Sequence, residues 1–306
     1  MRIAIVGAGA MGSIFGAGLA KAGEDVLLVD VSTSLVEKIN ADGVSVETKD
    51  GTTTTKLPAT TSPPEEPFDS VLFFVKCYHT QAAADLAAPL VGDETTVATL
   101  QNGWGNGDVL AAKFGGERTV VGVTYNSGTV RGIGAVAHTN VGPTFIGPYA
   151  AGASTDLAQP IGESLAGAGF EVNVTGEATT EVWRKLVLNC ATLPTSALTR
   201  LTAGRVGGSN VLEVAHALAR EATAVARALG HDIDPEERVS TITTNLRAVG
   251  SGKASMLQDV EAGRKTEIGV ISGAVVAEAA DHDIDVPLTK AILFLVQGLE
   301  EGAELA

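Results

Sequence analysis

Six residues near the start of the chain, Gly7-Ala8-Gly9-Ala10-Met11-Gly12, constrain its fold more than any others. They follow the apolar run at residues 3–6 without a gap and lead into the helical pattern of residues 14–20. Strand, glycine-rich turn and helix, in that order, form the setting in which G-x-G-x-x-G binds a dinucleotide. Gly7 permits the tight turn, Gly9 lets the backbone approach a pyrophosphate, and Gly12 lets the helix pack closely on the strand. The diphosphate then meets unpaired N–H groups at the positive end of the helix. Ala8, Ala10 and Met11 complete the loop and join the glycines as candidate cofactor-binding positions. The alternative is a glycine-rich turn that holds no ligand.

Further short apolar runs at residues 26–29, 71–75, 96–100 and 119–123 alternate with helical stretches. Nearly continuous apolar strands of this kind are buried on both faces, as in a parallel sheet covered by helices. Residues 44–57 read as a threonine-rich hairpin turning at Asp50-Gly51, residues 62–67 as a proline-rich loop, and residues 171–174 as a last strand. Beyond that the texture becomes helical, with helices expected over residues 180–198, 210–228, 235–249, 267–281 and 287–300, and a short one after Ser255. A chain of 306 residues accommodates two domains. The predicted fold is α/β: an N-terminal, doubly wound Rossmann domain over residues 1–176 that binds the dinucleotide, and an all-helical C-terminal substrate and catalytic domain over residues 177–306.

Asp30 closes the second strand, where a carboxylate can accept hydrogen bonds from the adenosine ribose and repels a 2′-phosphate. That favours NAD, with NADP as the alternative; a solvated aspartate at a strand end is the structural reading. The formal net charge of −15 argues against nucleic acid and anionic membranes as partners, so an anionic substrate needs a local positive pocket. The two cysteines, Cys77 and Cys190, lie in apolar stretches and read as free thiols in a reducing compartment. No apolar run approaches the roughly 18 residues of a membrane span, which makes the cytoplasm the expected location. The five histidines form no metal spacing, and no metal is expected.

The most informative segment of the second half is Glu181-Val182-Trp183-Arg184-Lys185-Leu186-Val187-Leu188-Asn189-Cys190-Ala191. Lys185 and Asn189 share one helical face, while the surrounding apolar residues suggest burial. A lysine there is either partly desolvated, with a pKa lowered toward proton transfer, or exposed in an i,i+4 pair with Glu181.

Trp183-Arg184-Lys185-Leu186-x-x-Asn189-Cys190, with Pro194 beyond it, resembles the helix signature of the ketopantoate reductases. Gln101-Asn102-Gly103-x-Gly105-Asn106, Lys76, and Ser255-Met256-Leu257-Gln258-Asp259-Val260 followed by Thr266-Glu267-Ile268 resemble the same family, in the same order. The resemblance implies hydride transfer between NAD(P)H and a 2-keto acid, ketopantoate to D-pantoate in the pantothenate pathway. It implies Lys185 as the acid at the carbonyl oxygen, Glu267 as its essential partner, Ser255 and Asn189 as substrate-binding residues, and Asn102 near the nicotinamide ribose and the substrate. Lys76 would add positive charge beside the cofactor and substrate. Ser255-x-x-Gln258 is equally a capping box, Asn102-Gly103 a turn, Lys76 a surface lysine and Glu267 a solvated helix residue.

Leu193 departs from the family pattern, which has a second asparagine there for the substrate's hydroxyl end. Leucine gives an apolar lining that suits branched or aromatic 2-keto acids. Together with Asp30 it points to the alternative of an NAD-dependent D-2-hydroxyacid dehydrogenase, mandelate dehydrogenase included. A 3-hydroxyacid or 6-phosphogluconate-type dehydrogenase shares the two-domain plan but matches these segments less well. A noncatalytic nicotinamide-dinucleotide-binding protein is a third reading, against which Lys185 and Glu267 speak. The helical half offers faces for a homodimer, without identifying one.

Overall fold

The computed structural model describes residues 1–248, 250 and 252–304. The chain divides into two compact units, one of Met1–Gln101 and Asn106–Glu181, the other of Asn102–Gly105 and Val182–Ala306. The division falls inside a helix rather than in the loop before it. The four residues Asn102–Gly105 go with the second unit, which no change in sequence texture announces.

In chain order the first unit holds β1 (Arg2–Val6), α1 (Ala10–Lys21), β2 (Asp25–Val29), α2 (Thr33–Asp42), β3 (Val44–Thr48), β4 (Gly51–Thr55), β5 (Ala59–Thr60), β6 (Ser70–Phe73), α3 (Thr80–Ala87), β7 (Thr96–Thr99), α4 (Asn106–Phe114), β8 (Thr119–Thr124), β9 (Ser127–Gly132), β10 (Ala135–Asn140), β11 (Thr144–Pro148), α5 (Gln159–Gly167) and β12 (Val172–Val174). The main sheet has the order β12-β11-β8-β7-β6-β1-β2-β5. From β5 to β8 every neighbouring pair is parallel, with Ile3 opposite Val26 on one side and Ser70 on the other. Strands β6 and β8 are buried along their whole length, which is why their sequences are apolar without alternation. Past β8 the sheet turns antiparallel: Thr144 of β11 pairs with Thr124, and β12 joins β11 in parallel.

Helix α1 packs on this sheet through Phe15, which stacks on Phe74 at 5.0 Å and on Phe170 at 4.2 Å. Each aromatic pair contributes about 0.5–1.5 kcal/mol beyond the area it buries. A second sheet, β4-β3-β10-β9, carries the expected hairpin. Thr48 pairs with Gly51, so the turn residues are Lys49 and Asp50 and the hairpin reverses one position earlier than the Asp50-Gly51 signal suggests. Strands β9, β10 and β11 were not foreseen; β9 has no apolar face in its SGTVRG sequence and stays largely exposed.

The second unit consists of most of α6 (Ala178–Thr199), then α7 (Ala203–Gly207), α8 (Val211–Ala228), α9 (Pro235–Ala248), α10 (Ser255–Glu261), α11 (Ser272–Asp281) and α12 (Pro287–Glu304). Its core is separate from that of the sheet unit and centres on Trp183, Leu186, Val187 and Cys190 of α6 with Ala215, Ala219 and Ala222 of α8. Helix α9 ends at Ala248, and Val249, the expected last residue, lies outside the described residues. The helix expected over residues 267–281 is broken. A 3₁₀ turn spans Ile268–Val270, and α11 starts only at Ser272. The Val270 carbonyl accepts from Trp104 N at 2.9 Å, which draws it out of a continuous helical ladder. No helix among the described residues is long and apolar enough to cross a membrane.

Candidate active site

Three adjacent parallel strands of the first unit, β6, β1 and β2, end in residues singled out by the sequence. The fingerprint loop follows β1 and hands over to α1 at Gly9, which supplies no side-chain cap to the first turn. The backbone comes so close at Gly12 that an added Cβ would lie 1.9 Å from the Gly7 carbonyl oxygen. At Gly9 an added Cβ would meet nothing within 4 Å. The loop therefore has an open face above Gly9, bounded by uncapped helix N–H groups, which fits a diphosphate.

Asp30, half-buried, directly follows β2. Its Oδ2 accepts from Ala8 N at 2.8 Å and its Oδ1 from Ser32 N at 2.9 Å. The carboxylate is thus locked between the fingerprint loop and the start of α2 rather than merely solvated, and about two of its four lone-pair sites remain for ribose hydroxyls. Val31 beside it is 81% exposed, and the segment Asp30-Val31-Ser32-Thr33-Ser34-Leu35 carries no cation. A cavity of about 220 Å³ opens here, lined by Gly9, Ser13, Ser32, Leu35 and Ile133 among others. Lys76 lies past the end of β6 at the start of a 3₁₀ turn and is half-exposed. Gln101, assigned no role in the sequence reading although it opens the Gln101-Asn102-Gly103 motif, donates to Val75 O at 2.8 Å and to Thr80 Oγ1 at 2.9 Å. It braces the loop that carries Lys76.

In the second unit Lys185 and Asn189 occupy one face of α6, and Asn189 is buried. Burial pulls the Lys185 amine down to about 8, and the charge of Glu267 acts in the opposite sense. The lysine keeps some accessible surface, so the site is desolvated without being sealed. Glu267 is 7% exposed and is not on a helix. Its position is fixed by neighbours: Thr266 N donates to Glu300 Oε1 at 2.6 Å, Ile268 N to Thr266 Oγ1 at 3.2 Å, and Val270 N to the Glu267 carbonyl at 3.2 Å. The reading of Glu267 as a solvated helix residue is therefore replaced by a buried carboxylate in a braced turn.

Leu193, one turn beyond Asn189, is half-buried against the helical core. Ser255 is exposed at the first position of α10, whose cap residue is Ala254. The capping box is therefore absent: Gln258 Nε2 donates instead to Lys253 O at 3.0 Å. Asn102 belongs to this unit and is half-exposed. Among the described residues, no three His, Cys, Asp or Glu are grouped as metal ligands would be.

A fingerprint loop on a parallel sheet and a desolvated lysine on a separate helical unit define the class of protein, an NAD(P)-dependent oxidoreductase. The profile described as "Ketopantoate reductase PanE/ApbA" matches residues 3–151, and its partner, "Ketopantoate reductase PanE/ApbA C terminal", matches residues 177–300. The chain belongs to the ketopantoate reductase family. The 2-dehydropantoate 2-reductase of Archaeoglobus fulgidus is 31% identical over 98% of both chains. Among solved structures, 2-dehydropantoate 2-reductase from Geobacter metallireducens matches with a TM-score of 0.92 and 29% identity, over 97% of this chain and 99% of that one. D-mandelate dehydrogenase with NADH and anilino(oxo)acetate matches with a TM-score of 0.94 over 99% of this chain and 100% of that one; at 24% identity this is a likeness of fold.

Proposed function

We propose that this chain reduces a 2-keto acid to the D-2-hydroxy acid, with ketopantoate as the substrate that the family membership favours. The observation that carries the reading is Lys185, whose amine is held near pKa 8 by burial beside Glu267. An acid of that strength donates a proton efficiently near neutral pH. Reduced nicotinamide, when bound, supplies the hydride to the carbonyl carbon. Lys185 Nζ gives its proton to the carbonyl oxygen as charge develops there, and Glu267 holds the ammonium in place before transfer. Asn189, Ser255 and Asn102 are assigned to the substrate, and Lys76 supplies positive charge to its carboxylate. The fingerprint loop and α1 hold the diphosphate, and Asp30 holds the adenosine ribose.

NADH is the proposed cofactor in preference to NADPH. A 2′-phosphate at this position would face the Asp30 carboxylate, beside exposed Val31 and a segment, residues 30–35, whose sequence holds no Lys or Arg. The test is the Kd of each dinucleotide; tighter binding of NADPH would remove Asp30 from its role.

Leu193 favours a second reading, reduction of an apolar 2-keto acid. A leucine side chain on the face of α6 that carries Lys185 and Asn189 gives a substrate hydroxyl no partner. Steady-state oxidation of NADH against ketopantoate, 2-ketoisovalerate, 2-ketoisocaproate and benzoylformate separates the two. The highest kcat/KM on ketopantoate supports the first; the highest on a hydrocarbon keto acid makes the chain a D-2-hydroxyacid dehydrogenase.

A further inference from the structure

Asn102 lies three residues past β7, a strand of the sheet unit, yet the segment Asn102–Gly105 packs as part of the helical unit. Trp104 is what holds it there. Its indole Nε1 donates to Glu278 Oε1 of α11 at 2.8 Å, and its backbone N–H donates to the Val270 carbonyl at 2.9 Å. Its ring packs on Trp183 of α6 at 5.3 Å, with His231 edge-on at 6.3 Å. Gly103 lets the backbone come this close: a Cβ there would lie 2.5 Å from Val270 Cγ2 and 2.6 Å from Val270 O, at a φ of +89°.

Two of the anchor points lie next to the proposed chemistry in sequence. Trp183 is two residues before Lys185, and Val270 is three after Glu267. Resting on the assignment of Asn102 to the site, we infer that Trp104 is a positioning residue that fixes Asn102 in the same rigid frame as Lys185 and Glu267. Asn102 then keeps its register with the proton donor whatever the sheet unit does. An aromatic anchor with a charge-assisted hydrogen bond and a backbone bond is suited to this, since hydrogen bonds to charged groups are stronger than those between neutral groups. Small displacements of a positioned group, of about 1 Å, lower rates by up to about 10²-fold.

A double-mutant cycle tests the inference, read as kcat/KM on the best keto acid of the panel above, with the thermal midpoint of every variant recorded. Trp104→Phe keeps the ring and the backbone bond but loses the donor to Glu278; a loss of roughly tenfold is expected. Trp104→Ala is expected to lose about 10²-fold. Glu278→Gln, which keeps an acceptor oxygen, should stay within about threefold of wild type. The decisive comparison is Trp104→Phe in an Asn102→Ala background, where it should have no further effect because the group it positions is gone. The same fold-loss in both backgrounds, or wild-type activity of Trp104→Phe, would overturn the anchoring role while leaving Asn102 in the site. Wild-type activity of Asn102→Ala would instead remove Asn102 from the site and overturn the inference with it.

Discussion

Lys185 sits at the balance of two opposing forces, burial that favours the neutral amine and Glu267 that favours the ammonium. Because reduction consumes the protonated form, its rate should be level below about pH 8 and fall above it, roughly tenfold per pH unit. Oxidation of the hydroxy acid needs the neutral amine and should show the mirror profile, falling as pH drops below about 8. A lysine at its ordinary 10.5 would leave reduction flat to well above pH 9, so the two profiles measured together check the assignment. Lys185→Ala should lower turnover by about 10²-fold or more, read by stopped-flow NADH oxidation. The fingerprint glycines separate folding from binding. Gly9→Ala adds a methyl group into open space, so its thermal midpoint should stay near wild type while the Kd for NADH rises at least about tenfold. Gly12→Ala drives a methyl group to within 1.9 Å of a carbonyl oxygen and should destabilise the fold itself by several kcal/mol, as overpacking does.

Among the elements, the long apolar runs buried on both faces were the legible ones, whereas β11, buried at four of its five residues, was not read from the sequence. Strands β1, β2, β6, β7 and β8 are read from apolar runs because both faces of the sheet are covered, and α6, α8 and α12 from helical spacing against one core. Strand β9 and the exposed β4 carry no such pattern, and β9 was invisible for that reason. The break before α11 was equally hidden, since it depends on a hydrogen bond from Trp104, more than 160 residues away. The residue types of the site were legible through motifs, but the braced turn under Glu267 was not, because its support comes from the far end of the chain. That support gives an expectation for α12: Glu300→Ala leaves Thr266 N–H without its carboxylate, which should cost about 1–3 kcal/mol of stability by chemical denaturation and lower kcat more than it raises KM.

Among the described residues, the buried apolar clusters each lie within one unit: one belongs to the helices and two to the sheet unit. Unfolding should therefore show two calorimetric transitions, and NADH at 100 times its Kd should raise the sheet unit's transition by about 2.7 kcal/mol in stability. A single transition shifted as one would show that the two cores melt together. The two thiols differ as much as the two cores do. Cys190 is fully buried and burial pushes its thiol upward, whereas Cys77 is half-exposed next to Lys76. The folded chain thus has one chemical address, on the sheet unit and adjacent to Lys76 in sequence. A maleimide dye should attach once per folded chain and twice after denaturation, which would place a reporter at residue 77 without removing any native cysteine.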